Sequence, residues 1–222
     1  MKTAIFFLAL FSAAWAFPQG TEELQFKRLY VDPLIPPENI ISRIINGHEA
    51  VPHSIPFQAY LIITDREGRW LCGGSLISRR YVLTAAHCVD GAISVDVYLG
   101  AHNVQATEST RIVITSTSTR RHENYNEDNI SNDIGLIQLP QAVTLNENID
   151  VISLPSPGAG SYEGSGGKGT CNGDSGGPLV VGNEQIGLVS YGASGCPSGY
   201  PSAYTRIASF LDWIELHTDL SF

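Results

Sequence analysis

Three short motifs carry side chains able to move a proton and form a covalent bond. "VLTAAHC" sets His87 beside Cys88 at the end of an apolar strand, "NDIGLIQL" sets Asp133 at the mouth of another, and "GTCNGDSGGP" sets Ser175 in a nest of glycines directly after Asp174. Singly each is bland. A lone histidine is more often structural, an aspartate before a strand is more often a turn residue, and Gly-Asp-Ser-Gly can be an ordinary loop. Together, in the chain order His–Asp–Ser, they match a constellation built for acyl transfer. The chemistry explains the residue types. A serine hydroxyl is a poor nucleophile at neutral pH; an imidazole takes its proton and later returns it to the leaving amine. A carboxylate holds the imidazole tautomer and stabilises the imidazolium. The amides of Gly173 and Ser175 would face the developing oxyanion, where losing one donor typically costs ~3–4 kcal/mol of transition-state stabilisation. Glycine at 173 keeps a side chain away from the substrate carbonyl.

The rest of the chain must deliver these side chains. From Ile44 to about Pro155, "FQAYLIIT", "LCGGSLIS", "YVLTAAHC", "ISVDVYLG", "TRIVITSTST" and "IGLIQL" are rich in β-branched residues and bounded by Gly, Asn, Asp or Pro. Such runs predict strands, their spacing predicts an all-β sandwich or barrel, and no helix-period segment interrupts them. Between Ser156 and Gly169 the character changes to six glycines and three serines, with Tyr162 as the only large apolar side chain. That composition predicts an irregular glycine-rich bridge over residues 156–170. After Ser175, "PLVV", "QIGLVSY" and "AYTRI" again predict strands, and "ASFLDWIELH" places apolar residues at 210, 211, 214 and 216, which predicts a short amphipathic C-terminal helix. No repeat of 20–50 residues is present.

Composition bounds the partners. With 222 residues, 43% hydrophobic and 16% charged, the chain reads as soluble and globular, and a net charge of −9 without a Lys/Arg cluster argues against nucleic acid and anionic membranes. At the N-terminus, Lys2, the apolar stretch "AIFFLALFSAAWA" and Ala14-Trp15-Ala16 predict a signal peptide over 1–16, too short for a membrane span. Secretion permits disulfides. Cys72, Cys88, Cys171 and Cys196 allow three pairings, among which sequence alone does not choose; the spacing suggests the local solution, Cys72–Cys88 and Cys171–Cys196. No spacing reads as a metal site, and no cofactor is expected. Residues 17–43 carry four prolines and read as an extended segment, followed by "RIINGHEA", where Arg43 precedes two isoleucines and an Asn-Gly turn in the manner of a processing site. Asn129-Ile130-Ser131 is a glycosylation sequon four residues before Asp133.

Taken jointly, "RIINGHEA", "CGGSLIS", "VLTAAHC", "NDIGLIQL", "GTCNGDSGGPLV", "GLVSYG" and "GYPSAYTRI" resemble the chymotrypsin-like serine peptidases, among them digestive chymotrypsins and brachyurin-type collagenases. The resemblance runs from Arg43 to the C-terminus with one large break. It implies two antiparallel β-barrels of six strands with His87, Asp133 and Ser175 in the cleft between them. It also implies a propeptide over 17–43, a first barrel over 44–155, and 156–222 for the second barrel and the helix. Cleavage after Arg43 would free the amine of Ile44 to pair with Asp174, and a buried charge left without its partner costs ~3–5 kcal/mol. Ser190, Tyr191 and Gly192 match the segment that supports the aspartate and pairs with substrate backbone. Gly169, Gly192 and Ser202 match the specificity pocket, here uncharged, which implies preference for a large apolar or aromatic side chain before the scissile bond. The expected partners are protein or peptide substrates and a trypsin-like activating protease, for a secreted monomer.

The break sets a further expectation. Asp133 and Ser175 are separated by 175 − 133 = 42 residues, far fewer than the resemblance calls for. The Gly-Trp-Gly segment and one cysteine pair of that family are absent. The second barrel is therefore expected to be truncated, with about three strands missing at roughly 5–6 residues each plus loops. Activity is expected to be much reduced, the alternative being an inactive homologue acting as a binding protein.

Overall fold

The computed structural model describes residues 24–25 (backbone), 47–158, 170–171, 173–193, 196 and 202–222. Among them, the strands in chain order are β1 (Leu24–Gln25), β2 (Gln58–Thr64), β3 (Arg69–Leu76), β4 (Tyr81–Thr84), β5 (Ser94–Leu99), β6 (Ile112–Ser116), β7 (Ser118–Arg121), β8 (Gly135–Gln138), β9 (Pro178–Val181), β10 (Glu184–Ala193) and β11 (Ala203–Arg206). Two short helices, α1 (Ala86–Val89) and α2 (Leu211–His217), complete the set, with a 3-10 turn over Ile207–Ser209.

Strands β2–β8 form one antiparallel sheet in the order β6-β5-β2-β3-β4-β8-β7. Its two outermost strands, β6 and β7, are consecutive in the chain, with only Thr117 between them. The run "TRIVITSTST", expected as one strand, is thus one strand bent at Thr117: it pairs with β5 before the bend and with β8 after it. The bend closes the sheet into a barrel of six strands and removes both edges. Ser116 makes the corner. Its buried hydroxyl donates to the Gln138 carbonyl at 2.6 Å and accepts from the Ser118 amide at 3.1 Å, replacing ladder bonds that the bend removes.

The apolar runs of β4 and β8 have a specific cause. Strand side chains alternate faces, and here both faces are buried. Val82 and Ile137 point into the barrel with Leu61, Trp70 and Val97. Leu83 and Leu136 point outward and form a second core with Leu188, Ile207, Leu211 and Ile214. The second core is therefore the seam between the barrel and the C-terminal sheet, and the catalytic candidates lie along it.

Among the described residues, the C-terminal sheet has four strands. β10 is flanked by β9 along Glu184–Leu188 and by β11 along Gly187–Tyr191, and β1 pairs with its far end. This is a curled half-barrel, as the truncation reading expected. β9 and β11 are only partly buried, Val181 is 49% exposed, and Leu188 reaches a closed core only by packing on the first barrel.

Two local expectations are corrected. His87 does not end a strand: β4 stops at Thr84, and Ala86–Val89 forms one helical turn, closed by the Asp90 amide donating to the Ala86 carbonyl at 2.9 Å. Ala85 and Ala86, directly before His87, tolerate that turn, and the Cys72–Cys88 disulfide fastens it to β3. In α2, Leu211 and Ile214 share the buried face at i,i+3 spacing, whereas Leu216 is 77% exposed.

Candidate active site

Asp133 sits at the centre of a three-residue turn, in which the Ile134 amide donates to the Asn132 carbonyl at 2.9 Å. Ile130 and Asn132 just before it hold positive φ angles of 53° and 54°. For β-branched Ile130 this is a strained backbone. The turn aims the carboxylate at α1, where Oδ1 accepts from the His87 amide at 2.9 Å and Oδ2 lies 2.8 Å from His87 Nδ1. The Ser190 hydroxyl of β10 donates to the same Oδ2 at 2.5 Å, and Thr205 Oγ1 of β11 donates to the Asp133 carbonyl at 2.7 Å. His87, Asp133 and Ser190 are all at most 3% exposed.

Burial alone would push the Asp133 pKa up. The charge of the His87 imidazolium and the hydrogen bonds from the His87 ring, the Ser190 hydroxyl and the His87 amide outweigh it, holding the carboxyl below its ordinary value. A carboxylate bonded to Nδ1–H leaves the imidazole lone pair on Nε2, the tautomer suited to accepting a proton there.

Ser175 lies in a turn built on the same seam. The Gly177 amide donates to the Asp174 carbonyl at 2.9 Å, and Gly176 and Gly177 exchange bonds with Val189 of β10 at 2.8 and 2.9 Å. Across the seam, the Gly73 amide of β3 donates to the Ser175 carbonyl at 2.7 Å, while the Gly73 carbonyl accepts from Thr84 Oγ1 at 2.8 Å. The glycine is required at 176: φ is +77°, and a Cβ there would stand 2.1 Å from Thr84 Oγ1 and 3.0 Å from the Ala85 amide nitrogen. The turn thus packs on the backbone directly preceding His87. Cys88 Sγ lies 3.6 Å from the Ser175 carbonyl oxygen. The structure therefore sets the backbone of the Ser175 turn against the strand ends that precede His87, on the seam that also holds Asp133.

Gly173 has φ of +93°, and Asp174 Oδ2 accepts from the Cys171 amide at 2.9 Å. The disulfides are Cys72–Cys88 and Cys171–Cys196, the local pairing. Of the residues expected to form the specificity pocket, Gly192 and Ser202 are neighbours: a Cβ on Gly192 would lie 3.8 Å from Ser202 Oγ. Ser202 Oγ also accepts from the Thr170 amide at 3.2 Å. Tyr191 pairs with Ala203 in the β10–β11 ladder. Arg43, Ile44 and Gly169 lie outside the described residues. Asn129 is exposed, its side-chain oxygen accepting from the Ser131 amide at 3.1 Å.

Among the described residues, the close group of metal-type ligands is Cys72, His87 and Cys88. It does not fit an ion, because the two sulfurs are joined to each other and offer no thiolate. Sequence reasoning missed Gly73, Thr84 and Thr205, although all three lie inside quoted motifs. It also missed the buried hydrogen bond from Ser75 Oγ to Gln185 Oε1, which ties β3 to β10 across 110 residues.

The family model described as Trypsin matches residues 44–165 and 159–214 in two stretches. Chymotrypsin of Phaedon cochleariae is 39% identical over 273 aligned positions, which take in 99% of each chain. Since this chain has 222 residues, at least 273 − 222 = 51 of those positions face none of its residues. Brachyurin of Leptuca pugilator is 42% identical over 228 positions, covering 80% of this chain and 100% of the other. A solved structure described as HL collagenase superposes with a TM-score of 0.69 at 33% identity, covering 80% of this chain and all of that one.

Proposed function

The chain belongs to the trypsin family of serine peptidases, and from that membership we propose that it is a secreted endopeptidase zymogen of low turnover, with His87, Asp133 and Ser175 as its triad. The observation that carries the assignment is the buried chain Ser190–Asp133–His87, set beside a Ser175 turn locked onto Gly73 and Thr84. In this reading Ser175 Oγ attacks the scissile carbonyl as its proton passes to His87 Nε2. The amides of Gly173 and Ser175 hold the oxyanion. The imidazolium, stabilised by Asp133, protonates the leaving amine, and water then releases the acyl group by the same sequence. Ser190 is a positioning residue that fixes the carboxylate.

Cleavage after Arg43, by a trypsin-like protease, lets the Ile44 amine pair with Asp174. The uncharged surroundings of Gly192 and Ser202, with Gly169, suit a large apolar or aromatic side chain. An apolar pocket gives only ~1–3 kcal/mol of discrimination per methylene, so the preference is broad. Residues 1–16 act as the signal and the product works as a monomer. Low turnover follows from the 51 or more missing positions, since the open half-barrel removes mass that would brace the Ser175 turn.

A second reading, an inactive homologue serving as a binding protein, is favoured by that same open sheet. The test is expression of the full chain, cleavage after Arg43, and labelling with a fluorophosphonate followed by assay on Phe, Tyr, Leu, Arg and Lys peptide substrates. Labelling at Ser175 with slow cleavage after aromatic residues is expected. Absence of labelling favours the binding protein, and cleavage after Arg overturns the pocket assignment.

A further inference from the structure

The strand β1 lies on the edge that a substrate would need. Leu24 stands opposite Ala193 and Gln25 opposite Gly192, antiparallel. β1 and β11 flank β10 on opposite sides. The side away from β11 is also where Val189 exchanges its backbone bonds with Gly176 and Gly177. β1 therefore occupies the same edge of β10 as the Ser175 turn, three residues further along. Its chain direction, Leu24 towards Gln25, runs from Ala193 towards Ser190.

We propose that Leu24–Gln25 is an intramolecular competitor for the substrate strand: while it remains tethered to the chain it covers the Gly192 edge, and cleavage after Arg43 lets it go. This rests on the proposed assignment of the Tyr191–Gly192 edge to substrate.

The energetics explain why such a contact would act as a switch. A two-residue ladder provides a few backbone hydrogen bonds, each worth about 0.5–1.5 kcal/mol net. That holds no separate peptide at micromolar concentration. A tether supplies an effective concentration on the order of 1 mM, which is enough to keep a weak contact formed. No covalent bond replaces the tether after cleavage, because all four cysteines of the chain are consumed in Cys72–Cys88 and Cys171–Cys196. Cutting at Arg43 thus converts a closed contact into a dissociating one. The same cut that frees the Ile44 amine would clear the cleft.

The test is amide hydrogen exchange on the full chain, comparing the unaltered protein with the double variant Leu24→Pro/Gln25→Pro. Proline removes both amide donors and disfavours a ladder position, and it lies far in sequence from the folded domain. Exchange over Gly192–Ala193 should rise by about tenfold or more in the variant, at the one amide of the two that donates to β1, since consecutive antiparallel pairs alternate between bonded and non-bonded. Leu188, inside the same strand, should not change. Cleavage after Arg43 should bring the unaltered chain to the variant's rate. Equal exchange in the two uncleaved proteins overturns the docking, and protection that survives cleavage overturns the release. A synthetic peptide of residues 17–43 at about 1 mM should slow fluorophosphonate labelling of the cleaved enzyme, and the proline peptide should not. If nothing labels, the peptidase reading fails while the exchange data still decide the docking.

Discussion

At the scale of single residues, the site turns on Asp133, whose carboxylate receives a ring nitrogen, an amide and a hydroxyl while almost fully buried. Replacing it by Asn keeps the size but removes the charge and the tautomer control. The Asp133→Asn protein should fold, and its fluorophosphonate labelling should fall by roughly 10⁴-fold. The depressed pKa of Asp133 also ties stability to pH. Its folded value lies below the unfolded one, so its contribution is complete above the ordinary carboxylate pKa, about 3.9. That contribution is lost as pH falls through the folded value. The difference in Tm between the unaltered chain and Asp133→Asn should therefore not shrink between about pH 7 and pH 5, and should shrink below about pH 4. A difference that shrinks already at pH 6 would show that the carboxyl is not held low.

At the scale of elements, the Ser175 turn and β4 are fitted together by glycine. Gly176→Ala combines an unfavourable positive φ with a clash against Thr84, which sits on β4 three residues before His87. Strain of this kind costs of order 1–3 kcal/mol, and the structure relieves it most readily by lifting the turn off β4. Labelling of Ser175 should collapse while the far-ultraviolet circular dichroism of the barrel persists. On the other face of β4, Leu83 is wholly buried in the seam. Leu83→Ala should cost about 2–5 kcal/mol, and proteolysis should expose β9–β11 before the first barrel. Val82→Ala, one residue away but inside the barrel, should instead lower the stability of the barrel itself.

At the scale of the whole molecule, the two halves are unequal. The first barrel closes on itself through the bend at Thr117 and carries its own core. Among the described residues, the C-terminal sheet has four strands, one of them β1, and borrows the outer face of the barrel for burial. A cavity of about 640 Å³ borders Gly173 and Asp174 and is lined also by Gln58, Tyr60, Gly73 and Pro178, which gives further chain room to pack against the turn. Inserting the corresponding segment of about 50 residues from the Phaedon cochleariae chymotrypsin between Gly158 and Gly169 should restore that packing. Turnover of an aromatic peptide substrate after cleavage at Arg43 should then rise by at least ~10²-fold, the scale of one oxyanion donor regained. An unchanged rate would mean that the missing strands are not what limits catalysis.

Much of this was written locally. Three short motifs, read jointly and in chain order, are enough to nominate His87, Asp133 and Ser175, because the chemistry tolerates few substitutes. The strand runs were legible because β-branched composition and bounding turn residues are properties of neighbouring positions. The shortage of chain before Ser175 was legible by counting. Other features depend on contacts between distant residues. Ser190 reaches Asp133 across 57 residues, a support that the family resemblance implied, but Thr205 reaches it across 72 and Ser75 meets Gln185 across 110 with nothing in the sequence to announce them. No local pattern encodes such pairs; only the packing of one sheet on another decides which hydroxyl finds which oxygen. The bend at Thr117 is likewise invisible in a uniformly strand-forming run, since barrel closure, not propensity, sets where the run must turn. The place of β1 was decided in the same way: two residues in a proline-rich segment became a strand because β10 presented an unpaired edge, and an unpaired edge in a folded sheet recruits whatever backbone is tethered within reach.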